Sequence, residues 1–293
     1  MSFNFLGTAL LLLVVFLLVL VMAIHIGFRA PRVPNKRTPK DFDMVYDDLT
    51  VEGRDGYCLS AWWIPAREPS KVTVIMIHGW GANKSLMLPL AEPLHQRGMQ
   101  VLMVDAHNHG DSDRRGVSTM PKFAEDLNSS VAWLRTEKPH AGKKIILLGH
   151  SVGAAAALLA ASKDEQVKAV ISLASFAHPT WVMQRQLARL SWIPGLVWLV
   201  TRYVQWVIGH HLDDIAPLNS LKRLRCPTLL IHGDQDQVVP LTDHKQLCQA
   251  AGDDQFIQCV TLAETDHASI EKIKYHFEEI DRFIQTIKLK LPQ

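Results

Sequence analysis

An α/β domain built on a mostly parallel sheet, preceded by one membrane-spanning helix, is the architecture to which three features of the chain point. After residue 45, short apolar runs rich in β-branched residues alternate with helix-forming stretches, as expected of strands covered on both faces and joined by crossover helices. An uncharged apolar run fills the amino terminus. The composition of the 293 residues, 48% hydrophobic and 20% charged, excludes a disordered, collagen-like or coiled-coil chain. Lys and Arg number 31 against 29 Asp and Glu, too even a balance for a chain whose main partner is nucleic acid.

Residues 1–28 contain no Asp, Glu, Lys or Arg, and the run FLGTALLLLVVFLLVLVMAIHIGF is long enough for a bilayer core, which takes roughly 20 apolar residues. A cleaved signal peptide usually has a basic leader, a shorter apolar stretch and a small-x-small cleavage site. None is present, so the segment reads as an uncleaved anchor. Arg29, Arg32, Lys36, Arg37 and Lys40 follow it; the positive-inside rule then puts the carboxyl side in the cytoplasm, and the flank suits anionic headgroups. Pro31, Pro34 and Pro39 keep residues 29–44 extended, a linker that holds the main domain, 45–293, near the bilayer.

Eight strands are expected in that domain, at 45–52, 57–64, 72–78, 101–105, 144–149, 169–173, 228–232 and 257–262. The first two flank Arg54-Asp55-Gly56 and read as an antiparallel hairpin. Helices are expected at 85–97, 121–137, 151–162, 242–251 and 269–289. Residues 176–215 break the alternation: they contain no good strand and hold Trp181, Trp192, Trp198 and Trp206, so they read as an inserted helical cap. Cys58, Cys226, Cys248 and Cys259 lie far apart, with neither a CxxC pair nor zinc-ligand spacing, and read as ordinary half-buried thiols.

Chemistry in an open α/β sheet gathers where strands end in loops. Gly149-His150-Ser151-Val152-Gly153 follows the strand KKIILLGH and opens the helix SVGAAAALLAAS, which is the strand-turn-helix context that G-x-S-x-G requires to lift a serine hydroxyl above the sheet. His78-Gly79-Trp80-Gly81 ends another strand, where glycines let backbone amides face a developing oxyanion; the N–H groups of Trp80 and Val152 are the expected donors. Asp236 and His267 each lie just beyond a further strand and arrive in the order Ser, Asp, His. A neutral serine needs a histidine to take its proton and a carboxylate to fix that histidine's tautomer. Asp234 and Asp266 are the rival carboxylates.

The segments HGWG, DAHNHGDSD, GHSVG, CPTLLIHGDQDQVVP and TDHAS, in that order, resemble the α/β-hydrolase fold superfamily over about residues 45–289, particularly its membrane-anchored and lysophospholipase-like serine hydrolases. The resemblance implies an α/β-hydrolase fold: an eight-stranded, mostly parallel sheet flanked by helices, with a cap inserted. It also implies Ser151 as nucleophile, Asp236 as triad acid, His267 as general base and the Trp80 and Val152 amides as oxyanion hole. Where the family commonly has Asp-x-Arg-Gly-x-Gly-x-Ser, this chain has Asp105-Ala106-His107-Asn108-His109-Gly110-Asp111-Ser112, with His107 for Arg and Asn108 for Gly. That departure bears on loop geometry and substrate preference rather than on the chemistry.

The expected activity is hydrolysis of carboxylic esters, lipid or acyl esters foremost, through an acyl-enzyme and with no metal or organic cofactor. Thioester or amide hydrolysis, or acyl transfer to another acceptor, uses the same residues. A zinc hydrolase built on His107, His109 and Asp111 is a rival that leaves GHSVG unexplained; a non-catalytic binding module is another, although all three triad positions are filled. The cap tryptophans are candidates for lining an apolar acyl pocket, for packing the cap onto the domain, or for meeting membrane lipid beside the anchor.

Overall fold

The computed structural model describes residues 2–252 and 256–290. Strands β1 (Asp47–Glu52) and β2 (Cys58–Ile64) form the antiparallel hairpin, turning through Arg54–Gly56 with Asp55 and Gly56 in the left-handed region. Then come β3 (Val72–Ile77), β4 (Gln100–Val104), β5 (Lys144–His150), β6 (Val167–Leu173), β7 (Thr228–Gly233) and β8 (Ile257–Leu262). The sheet order is β1-β2-β4-β3-β5-β6-β7-β8. The β2–β4 pair is also antiparallel, and every pairing from β4 through β3 to β8 is parallel.

Alternate residues of each inner strand feed opposite faces. Ile75 and Ile77 of β3 join a core with Phe123 and Leu127 of α3 (Met120–Glu137), the alanines of α4 (Val152–Ala161) and Leu247 of α9 (Leu241–Ala251). Val74 and Met76 join the other, with Leu90 and Leu94 of α2 (Leu88–Gln96) and Ile280, Phe283 and Ile284 of α11 (Phe277–Lys290). Covered on both sides, these strands carry continuous apolar runs instead of alternation, which is why they were legible as buried strands.

The expected helix at 85–97 begins instead at Leu88, because Lys84–Met87 form a tighter 3-10 turn. The one expected at 269–289 is broken at His276 into α10 (Ile270–Tyr275) and α11. No strand occurs in 176–215; the stretch folds as α5 (Pro179–Gln186), α6 (Leu196–Ile208) and α7 (Leu212–Ile215), and α8 (Pro217–Leu221) returns the chain to β7. The reading of four free thiols needs correction: Cys248 of α9 and Cys259 of β8 are brought to a Cα–Cα distance of 6.1 Å and form a disulfide. Cys58 and Cys226 are free, the first exposed and the second buried.

The apolar segment is one helix, α1 (Ser2–Gly27), whose residues Phe5–Gly27 are long and apolar enough to cross a membrane. Residues after it are fastened to the body. Ser118 N–H donates to the Phe28 carbonyl at 3.1 Å, and Asn83 Nδ2 donates to the Val33 and Pro34 carbonyls at 3.0 Å each. Arg32 donates to the Gly110 carbonyl and, at 3.2 Å, to that of Ser112. Residues 31–35 thus form a strap across two loops at the carboxyl edge of the sheet.

Candidate active site

The parallel register aligns the strand ends. Ile77 of β3 lies opposite Gly149 of β5, His150 opposite Leu173 of β6, and Gly233 of β7 opposite Leu262 of β8, so the turns after β3, β5, β7 and β8 leave the sheet along one edge. Ser151 sits in the turn between β5 and α4 at φ 55, ψ −120, a conformation costly for a non-glycine residue, on the order of 1–3 kcal/mol. Its neighbours explain how the turn closes. A Cβ on Gly149 would lie 2.2 Å from the Gly153 carbonyl oxygen, and one on Gly153 2.4 Å from that of His78. Only glycines permit this approach of backbone to backbone.

His267, in the loop after β8, places Nε2 2.9 Å from Ser151 Oγ and Nδ1 2.7 Å from Asp236 Oδ2. The Asp236 side chain is fully buried, and its Oδ1 accepts the amides of Val238 and Val239 at 2.9 and 2.8 Å. Burial by itself would raise this carboxyl; the His267 hydrogen bond, the Val239 amide and the neighbouring imidazoles outweigh it and hold the group below the ordinary carboxylate range. The rival carboxylates are elsewhere: Asp234 is exposed, and Asp266 accepts Ser269 Oγ at 2.6 Å and the Ala268 amide at 3.0 Å.

His150 is a contributor that the motif alone did not reveal. Its Nε2–H donates to the His267 carbonyl at 2.8 Å, bracing the backbone of the residue that contacts Ser151. Burial, and then the nearby His267, push its pKa down to about 4, so it stands neutral at pH 7.

Val152 follows Ser151 in the chain, and the turn that carries Trp80 lies against Ser151 in space: a Cβ on Gly79 would lie 3.1 Å from the Ser151 Cβ. Among the described residues neither N–H donates to a protein group, so both are free for a ligand oxygen. His78 ties this turn to the next. Its Nδ1–H donates to the Gly79 carbonyl at 2.7 Å, and its Nε2 accepts the Ala106 amide at 3.1 Å. An Nε2 that accepts carries no proton, so the 3.9 Å approach of that atom to Asp105 is not an ion pair, in keeping with a pKa lowered by burial.

In the turn after β4, the unusual residues fit their places. Asn108 takes φ 66, a left-handed conformation that asparagine tolerates in place of glycine. His107, standing where the family has Arg, bonds Asp126 of α3 through Nδ1 at 2.8 Å. His109 Nδ1 donates to the His107 carbonyl at 3.0 Å, and Asp111 faces Lys84 Nζ at 3.4 Å and Asn35 Nδ2 at 2.7 Å. These three side chains do not converge, and among the described residues no group of three His, Cys, Asp or Glu is arranged to share a metal ion. The turn instead centres on a buried ion pair that was not anticipated: Lys84 Nζ lies 2.6 Å from Asp105 Oδ2, 2.9 Å from Ser60 Oγ and 4.5 Å from the Trp62 ring centroid. Asn35 of the strap completes it, donating to Asp105 at 3.0 Å and accepting the Ser85 amide at 3.1 Å.

The cap tryptophans divide. Trp181 is half-buried against the main core. Trp192, Trp198 and Trp206 are 76%, 68% and 76% exposed, which of the three roles expected for them disfavours both lining an acyl pocket and packing the cap onto the domain. The reason is helical phase: α6 packs through Leu196, Val200 and Val204, at i, i+4 and i+8, and positions 198 and 206 fall on its other side.

Comparison with known proteins agrees with this architecture. The chain is 23% identical over 258 residues, 82% of each chain, to the uncharacterized protein YfhR of Salmonella typhimurium. An esterase of Pyrococcus furiosus superposes with a TM-score of 0.72 at 24% identity, covering 89% of this chain and 97% of that one. Est1E of Butyrivibrio proteoclasticus, solved with ferulic acid bound, gives a TM-score of 0.63 at 21% identity, covering 79% and 97%. A family model described as the alpha/beta hydrolase fold matches residues 72–220, half of the chain, which therefore belongs to the α/β-hydrolase fold family.

Proposed function

We propose that this chain is a membrane-anchored serine hydrolase that cleaves carboxylic esters of lipid or acyl type, with its catalytic domain on the cytoplasmic side. The observation that carries the reading is the unbroken hydrogen-bonded row from Ser151 Oγ through both nitrogens of His267 to Asp236. In the proposed reaction Ser151 Oγ attacks the ester carbonyl carbon while its proton passes to His267 Nε2, and the carbonyl oxygen becomes an oxyanion facing the Trp80 and Val152 amides. Collapse breaks the bond to the alcohol, which leaves with the proton from His267. Water then attacks the acyl-enzyme, giving its proton to His267, and Ser151 recovers it as the acid departs. Asp236, buried and ionised, fixes the His267 tautomer with the proton on Nδ1 and stabilises the imidazolium. The anchor rests on the apolar length of α1, and the side of the membrane on the basic residues that follow it.

The test is hydrolysis of nitrophenyl esters of increasing chain length by the full chain in detergent, beside Ser151→Ala, His267→Ala and a chelator control. A loss of roughly three orders of magnitude or more in kcat for both variants, with chelator without effect, is the expected result. Activity that survives Ser151→Ala, or is lost only to chelator, overturns it, and fluorophosphonate labelling of Ser151 separates a wrong ester from an inert site.

A further inference from the structure

Helix α6 is packed on the anchor as well as on the domain. Its buried row, Leu196, Val200 and Val204, meets Leu20, Ile24 and Phe28 from the end of the apolar segment, and Tyr203 OH lies 3.0 Å from His25 Nε2. The same end of the anchor reaches the active-site rim. Phe28 is hydrogen-bonded to Ser118, and a Cβ on Gly81, next to Trp80, would lie 2.9 Å from Pro31 Cγ. The anchor's exit is therefore flanked by cap helix and oxyanion turn together.

The outward side of α6 carries Trp198, Arg202 and Trp206 at i, i+4 and i+8, with Leu199 beside them, all exposed. The Trp206 ring lies 5.6 Å from that of Tyr203, so the exposed stripe is continuous with the anchor contact. Trp192, just ahead of α6, is exposed too. A water-facing helix has no use for two tryptophans and a leucine, whereas tryptophan and arginine together suit the headgroup layer, where an apolar ring and a polar or charged tip are both satisfied.

We propose that α6 is seated in the interfacial layer of an anionic bilayer beside α1, and that the ester reaches Ser151 from that leaflet instead of from water. The inference rests on the serine-hydrolase and anchor readings and names where their substrate resides. The occupant of the face is lipid because the face is continuous, through Tyr203, with a helix able to span a membrane, and because Arg202 matches an acidic headgroup.

The experiment uses the full chain reconstituted in phosphatidylcholine–phosphatidylglycerol vesicles, with a variant combining Trp192→Ser, Trp198→Ser and Trp206→Ser. These positions are exposed, so the substitutions leave the core untouched. Quenching of tryptophan emission by lipids brominated on the acyl chains is expected to fall in the variant. Turnover of nitrophenyl palmitate dissolved in the vesicles is expected to drop about tenfold while that of water-borne nitrophenyl acetate is kept. Equal quenching in the two proteins overturns the seating of α6, and an unchanged palmitate-to-acetate ratio overturns entry from the leaflet. Wild-type protein inactive on both esters and unlabelled by fluorophosphonate at Ser151 defeats the hydrolase reading, with the quenching still deciding the surface; protein that fails to float with the vesicles defeats the anchor and this inference together.

Discussion

His109, His150 and His244 share one electrostatic situation. Each is buried, and burial first, then a neighbouring imidazole, pushes its pKa down to about 4. The unfolded chain takes up these protons near pH 6.5, the folded protein only near 4. Neutral burial therefore contributes its full stability above about pH 6.5, and that stability is lost as the pH falls from there toward 4, by up to about 1.4 kcal/mol per unit for each group. Asp105 and Asp236 do not act in this window, because carboxyls held below their ordinary range give up stability only at lower pH. The thermal midpoint in detergent is expected to fall steadily between pH 7 and 5; a flat profile contradicts the neutral assignment. His150 ties this to the site, because the ring that acidification strains is the one holding the His267 carbonyl.

The turn after β4 is held from three directions: by Lys84 at the start of the 3-10 turn before α2, by α3 through Asp126, and by the strap through Asn35. Lys84→Met leaves Asp105 buried without its cation and is expected to cost about 3–5 kcal/mol in chemical denaturation. Adding Asp105→Asn, which removes the stranded charge, recovers part of it. This pair was not legible in the sequence, because Lys84 and Asp105 are far apart in the chain and only the parallel β3–β4 crossover brings the one over the other. Asn35 meets Asp105 for the same kind of reason, through tertiary docking that no local pattern records. By contrast the strands, GHSVG and the Ser, Asp, His order were legible, since buried runs and glycine-dependent turns are written in adjacent residues. Trp192, Trp198 and Trp206 misled because composition alone does not say which side of a helix meets the core; the 196, 200, 204 spacing does.

At the scale of the molecule, two signals oppose each other over which compartment holds the domain. Basic residues after α1 favour the cytoplasm, whereas a Cys248–Cys259 disulfide is at home in an oxidising compartment. Cys58 decides between them, being the exposed free thiol. On the proposed orientation an impermeant maleimide leaves Cys58 unmodified in intact cells and labels it after lysis; labelling of intact cells places the domain outside. The strap has a consequence of another kind. Only Arg29 and Ala30 separate Phe28, bonded to Ser118, from Pro31 against Gly81, so there is no slack between helix and domain. With α1 in a bilayer, the protein is a fixed outgrowth of the membrane and not a body on a tether: it patrols area, not volume. On the proposed function, turnover is then expected to follow the number of ester molecules per unit area of leaflet, and spreading the same ester through more inert lipid is expected to slow it.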